Sequence, residues 1–180
     1  SISYGIPGMG VLADKLKNFF ISNPYHNTVT DGIVNDFIKL LDSGIGLESA
    51  LLNVRVPEIV EADIVNNVWK VIFESDVEVY KRFISGEEIN LRQLFDYIIY
   101  GDPNKTLNVI STNYDRIAEY AACQTNAYIN IGFTHGLMGK LKDNIMINPQ
   151  KTEADYTGFI NILKVHGSLD WYRKDGVIYN

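Results

Sequence analysis

The sequence predicts an α/β fold, a parallel sheet carrying a large helical insertion, and three observations predict it. Short β-rich runs at 107–110, 128–131 and 159–165 alternate with one helix-length segment and one longer excursion, the order expected of parallel strands joined by crossovers. Residues from about 25 to 100 carry apolar side chains at three- and four-residue steps, which is helical periodicity. The turn formers Gly101-Asp102-Pro103-Asn104 mark where one pattern gives way to the other.

Taken in order, a first helix is predicted over 11–20 after Pro7-Gly8-Met9-Gly10. Leu12, Leu16, Phe19 and Phe20 share one face and Asn23-Pro24 is the stop. Asp31 caps a second helix running to Leu41, with Ile33, Phe37, Leu40 and Leu41 spaced for burial and Gly44 and Gly46 ending it. Val60, Ile64, Val68 and Ile72, flanked by Val65, Trp69 and Phe73, predict a helix over 57–84 with a wide apolar face and a break near Ser75-Asp76. Leu91, Leu94, Phe95 and Ile98 place a shorter helix over 90–99.

The strand at 107–110 then ends in Ser111-Thr112-Asn113, and a helix over 114–123 follows with Asn113 as its cap. Residues 136–158 lack an apolar period and read as a loop or lid. Val177-Ile178-Tyr179-Asn180 reads as a strand in mid-course, and the opening lacks an initiator Met, so the unit is expected to be incomplete at both ends.

Composition narrows the partners. The chain has 180 residues, 46% of them hydrophobic, enough for one domain with a real core. A formal charge of -6, with the 16 Lys and Arg residues not gathered into a run, excludes a direct nucleic-acid surface. Cys123 is the only cysteine, so neither an intrachain disulfide nor a four-thiolate zinc site is available, and a reducing, cytoplasmic setting fits. Cys123 itself reads as a small buried side chain. No run approaches the roughly 18–20 apolar residues that cross a bilayer, so no membrane partner is expected.

Chemistry concentrates in three motifs. Ser1-Ile2-Ser3-Tyr4-Gly5-Ile6-Pro7 opens the chain, Ser111-Thr112-Asn113-Tyr114-Asp115 leaves the first predicted strand, and Lys164-Val165-His166-Gly167-Ser168-Leu169-Asp170-Trp171 leaves the last. Each has an ordinary structural reading: a turn at Gly5-Ile6-Pro7, a cap at Asn113, a first-turn acid at Asp115, core packing at Trp171. The amide of Asn113 and the imidazole of His166, both at the ends of parallel strands, stand where α/β sheets place ligands.

In this order the three motifs resemble the Sir2 family. Its members carry Gly-Ala-Gly-x-Ser-x-x-x-Gly-Ile-Pro, then Thr-Gln-Asn-Ile-Asp, then His-Gly. Tyr128-Ile129-Asn130 ahead of Gly132-Phe133-Thr134, Glu119, and the sequel Ser168-Leu169-Asp170-Trp171 look like the bacterial Sir2-like branch, whose members are mostly NAD-cleaving effectors fused to other modules, often in antiphage defence. The resemblance implies a Rossmann-like parallel sheet. It implies one domain fragment over 1–180, with an α/β nucleotide-binding part at 1–24 and 101–180 and a helical insertion at 25–100.

The resemblance also implies a function, hydrolysis of NAD to nicotinamide and ADP-ribose. His166 would be the base and Asn113 would hold a water or a ribose hydroxyl. Ser1, Gly5, Ile6, Pro7, Thr112, Asn113, Asp115, Gly167 and Ser168 would contact the dinucleotide, Asp115 and the Ile6 backbone near the nicotinamide amide. NAD enters as substrate, and a fused or associated module and a homo-oligomer are the expected protein partners. No metal is expected, because 169–180 lacks the two Cys-x-x-Cys pairs that hold zinc in the deacylases.

Gly8-Met9-Gly10 replaces the family's Asp-Phe-Arg, and Thr112 stands where the family has Gln. Both departures weaken a protein-deacylase reading more than an NAD-cleaving one. His135-Gly136 is a rival for the His-Gly motif, and His26 reads as a solvated turn residue. A silent sensor of NAD or ADP-ribose, passing occupancy to a fused module, is the alternative function.

Overall fold

The computed structural model describes residues 4–135, 138–143 and 155–180. They form six helices and five strands: α1 (Met9–Ser22), α2 (Thr28–Asp42), α3 (Leu47–Asn53), α4 (Glu58–Ile84), α5 (Leu91–Gly101), β1 (Thr106–Ser111), α6 (Ile117–Cys123), β2 (Ala127–Asn130), β3 (Gly158–Lys164), β4 (Tyr172–Lys174) and β5 (Val177–Tyr179). The protein is mixed α/β, and among the described residues no helix is long and apolar enough to cross a membrane. By its contacts the chain divides into two units, one of Gly5–Ser75 and one that holds Tyr4 and everything from Asp76 on.

The first unit is helical. Leu16 and Phe20 of α1, Val34, Phe37 and Leu41 of α2, Leu47 and Ala50 of α3, and Val60 and Ile64 of α4 form one apolar cluster, with Phe37, Ala50 and Val60 wholly buried. Burying side chains of this size contributes about 1.5–3 kcal/mol each. The α2 cap differs from expectation. Asn27 accepts from the Val29 and Thr30 N–H groups, while Asp31 lies inside the first turn and accepts from the Tyr25 N–H at 2.8 Å. The carboxamide lies one turn earlier in the chain than Asp31 and reaches the two unsatisfied N–H groups directly. Helix α3 was not expected, because seven residues are too few to display a period.

α4 runs unbroken through Ser75 and Asp76, contrary to the expected break. Its buried row continues from Val60, Ile64 and Ile72 to Asp76 and Val79, at helical spacing. Asp76 therefore stays on the buried row and finds a partner there. Val65, Trp69 and Phe73, expected on a wide apolar face, are exposed instead, with the Trp69 and Phe73 rings stacked at 4.6 Å.

The second unit is built on a three-stranded parallel sheet of order β1-β3-β2. Registers run from Thr106↔Phe159 to Ser111↔Lys164 on one side of β3 and from Ala127↔Gly158 to Asn130↔Asn161 on the other. One sheet face buries Ile160 and Ile162 completely or nearly so. The other carries an amide ladder at a single register level: Asn130 donates to Asn161 at 2.8 Å, and Asn161 donates to Asn108 at 2.8 Å. Gly158 opens β3 where a Cβ would lie 2.5 Å from the Ile99 side chain and 2.7 Å from the Lys105 carbonyl, so no larger residue fits the α5–β1 corner.

β4 and β5 form an antiparallel hairpin that the sequence reading reached only at its second strand. Asp175 (φ 50°) and Gly176 (φ 78°) make its turn, the Asp-Gly pair that two-residue hairpins favour. β5 continues onto residues 139–141 through the Leu141 N–H to the Ile178 carbonyl, while Phe133 meets Trp171 edge to face at 5.1 Å. Most of the expected lid lies outside the described residues.

Candidate functional site

β1 and β3 lie side by side and parallel, so their carboxyl ends open onto the same edge of the sheet. Ser111 and Lys164 are the last register partners, and Asn113 and His166 each follow two residues later. Both side chains are exposed. The backbone sews the two loops together: the Val165 N–H donates to the Ser111 carbonyl at 3.1 Å and the Leu169 N–H to the Tyr114 carbonyl at 3.0 Å. Gly167 turns the second loop at φ 94°, a left-handed conformation that favours glycine.

Below this edge sits a buried charge cluster. Lys164 has a side chain only 3% exposed, and its Nζ donates to the carbonyl of Asn113 at 3.1 Å and to that of Asp115. The Glu119 carboxylate, on the first turn of α6, lies 3.5 Å from the same ammonium. Burial pushes the Glu119 carboxyl up to about 7, against the opposing pull of Lys164, and the nearby Asp170 charge raises it further. Oε2 of Glu119 and Oδ1 of Asp170 are both buried and find no hydrogen-bond partner among the described residues, while Oδ2 of Asp170 accepts from Asn180 at 3.0 Å.

A second clamp acts one residue beyond Asp115. Asp76 is wholly buried and accepts from the Arg116 backbone N–H at 2.8 Å, from its Nε at 2.9 Å and Nη2 at 2.6 Å, and from the Tyr120 hydroxyl at 2.8 Å. Burial and the adjacent carboxylate hold the Tyr120 phenol well above its ordinary range. The 112–116 turn is thus held by Lys164 on one strand and by Asp76 on α4.

This turn displaces the expected helix start. α6 begins at Ile117, with Arg116 as the flanking residue, so Asn113 is not a cap. Its own backbone N–H instead donates to the Ser111 hydroxyl oxygen at 3.1 Å. Asp115 is buried, 7% exposed, and one carboxylate oxygen accepts from the Ile117 N–H at 3.1 Å, an Asx turn that precedes the helix. Cys123, expected to be buried, is exposed at the end of α6, whose inward face is filled by Ala118, Ala121 and Ala122.

Of the other predicted contacts, Thr112 is exposed beside Asn113, and Ser168 is half-buried with its hydroxyl 3.5 Å from the Tyr114 carbonyl. Gly5, at φ 79°, with Ile6 and Pro7, belongs to the helical unit ahead of α1. Ser1 lies outside the described residues. The rival His135 is bonded to the Tyr128 hydroxyl at 3.2 Å. Tyr128 is the register partner of Phe159, five residues before Lys164, which is about 16 Å back along the strand from the edge that presents His166.

Sequence reasoning missed the roles of Lys164, Asp76 and Arg116. The available signal for Asp76 was its place on the buried row of α4, where an acid requires a partner from elsewhere in the chain. Among the described residues no three His, Cys, Asp or Glu side chains gather as a metal site. No protein-family model matches the chain, and no curated protein matches it.

Proposed function

We propose that this chain is a Sir2-like, Rossmann-like domain that hydrolyses NAD to nicotinamide and ADP-ribose, acting at the carboxyl edge of β1 and β3 within a cytoplasmic bacterial effector. The observation that supports it most is the placement of Asn113 and His166, each two residues beyond the Ser111↔Lys164 pair on adjacent parallel strands. That edge is where sheets of this class receive ligands.

The chemistry asks little beyond these groups. Heterolysis of the ribosyl C1′–N bond sends the electron pair to the pyridinium nitrogen, so neutral nicotinamide leaves and positive charge builds on the ribose. His166 takes the proton of the attacking water, whose oxygen forms the new bond to C1′, or holds a ribose hydroxyl. The Asn113 carboxamide orients that water or hydroxyl. Asp115 uses one carboxylate oxygen for its own turn, and the other accepts from the nicotinamide carboxamide. Thr112, Gly167 and Ser168 line the two loops.

The test is nicotinamide release from NAD by the full chain, followed by chromatography, alongside calorimetric binding of NAD and ADP-ribose. Release supports the hydrolase. Tight binding without release supports a silent sensor. Release only when an acylated peptide is added would transfer the site to a deacylase.

A further inference from the structure

We propose that Lys164 is the positioning residue of this site: its buried ammonium, balanced by Glu119, holds the 113–115 turn in the conformation that presents Asn113 beside His166. The inference rests on the reading of the carboxyl edge given above, but its anchor is geometric. An ammonium has three N–H donors and no acceptor. Around Lys164 stand three acceptors, the carbonyls of Asn113 and Asp115 and the Glu119 carboxylate. Two of the three belong to a single turn of backbone, so one side chain sets two peptide planes at once.

Peptide planarity carries the effect outward. In a trans peptide the carbonyl and the following N–H point in opposite directions. With the Asp115 carbonyl drawn toward Lys164, the Arg116 N–H is turned away from it, and it meets the Asp76 carboxylate at 2.8 Å. With the Asn113 carbonyl drawn in the same way, the Tyr114 N–H is likewise turned away from the ammonium. The Asn113 backbone is then fixed on its carbonyl side by Lys164 and on its amide side by the Ser111 hydroxyl.

Lys164 does this without touching the ligand edge. It is the last residue of β3, its side chain lies beneath the turn, and His166 follows two positions later on the same strand end. One residue thereby ties the backbone that carries Asn113 to the backbone that carries His166.

Glu119 makes the hold adjustable. The charged and titratable groups that face it are Lys164 from β3, Asp170 from the segment after β3, and Cys123 from α6. Burial disfavours the ionised carboxylate more than Lys164 favours it, so the closed turn is firmest while Glu119 keeps its proton, and its carbonyl oxygen still accepts from the ammonium.

Hydrogen exchange of the full chain, read on peptides covering 112–117 and corrected for intrinsic rates, tests the proposal independently of turnover. Lys164→Met should raise exchange in that segment about tenfold or more, with α2 unchanged, and should lower kcat for nicotinamide release far more than it alters KM. Lys164→Arg, which keeps the charge, should recover part of the protection. Should Lys164→Met fail to fold, wild type and Glu119→Gln still decide. Protection of 112–117 should fall from pH 6 to pH 8 in the wild type, because an opened turn returns the ionised carboxylate to water, and stay flat in Glu119→Gln.

Unchanged exchange in a folded Lys164→Met protein, or the same pH response in wild type and Glu119→Gln, overturns the proposal. A wild type that releases no nicotinamide while Lys164→Met loosens the turn removes the NAD-cleaving reading and supports the anchor.

Discussion

The carboxylate of Asp76 and the guanidinium and backbone N–H of Arg116 make three hydrogen bonds between 2.6 and 2.9 Å, with the acid wholly buried. They lie 40 residues apart, one on the long α4 and the other just before α6. A buried acid so placed is costly once its partner is gone, because the remaining charge has no water to replace it. Asp76→Ala should therefore lower stability by about 3–5 kcal/mol in denaturant titration, and Arg116→Ala by a similar amount. Asp76→Asn, which keeps shape and loses charge, should cost less. A loss below about 1 kcal/mol for Asp76→Ala would mean that the cluster does not hold the turn.

His166 and Asn113 are exposed, so substituting them should leave the fold almost unchanged, within about 0.5 kcal/mol. Loss of a positioned proton acceptor typically removes a factor of about 100 to 10,000. His166→Ala should lower nicotinamide release on that scale, and Asn113→Ala should also lower it. His135→Ala should break the bond to Tyr128 and leave release intact. Retention of release in His166→Ala with loss in His135→Ala would reverse the assignment.

Glu119 gives stability a particular slope with pH. Its carboxyl is raised from 4.5 to about 7 in the folded protein, so between those values the native state binds the extra proton and the unfolded state does not. Stability then falls as pH rises through this window, the reverse of a salt-bridged carboxylate whose value is depressed. Urea titrations from pH 5 to pH 8 should show this fall as a difference between wild type and Glu119→Gln. Parallel curves for the two proteins would remove Glu119 as the cause.

The amide ladder of Asn108, Asn161 and Asn130 crosses all three parallel strands at one level. Asn161 is the middle rung, 2% exposed, giving one hydrogen bond and accepting another. Asn161→Leu keeps the volume and removes the hydrogen bonds to both Asn130 and Asn108, which should cost about 1–3 kcal/mol in thermal or denaturant unfolding. Asn108→Leu, at the exposed end, should cost less. Equal effects would show that the rungs do not act through burial.

Local pattern was enough for the elements that repeat. Leu12, Leu16, Phe37, Val60, Ile64 and Phe95 are buried as their helical spacing predicts, and the three parallel strands lie within a residue or two of their apolar runs. Periodicity reports which face of an element is buried, and that is a property of neighbouring residues. The same logic mistook Val65, Trp69 and Phe73, because an apolar stripe does not say whether anything packs on it. Of the β4–β5 hairpin only the second strand was read, because the three residues of β4 are too few to show a period.

The sequence by itself determined an α/β chain with helices ahead of a parallel sheet, and it placed Asn113 and His166 at strand ends. Only the tertiary structure decided that β3 lies between β1 and β2, which sets those two strand ends side by side. It also decided that Lys164 turns inward to the carbonyls of Asn113 and Asp115, and that Asp76 pairs with Arg116. The physical reason is that a buried charge is tolerable only where distant segments bring acceptors or donors to it, and neither periodicity nor spacing records which segments those are.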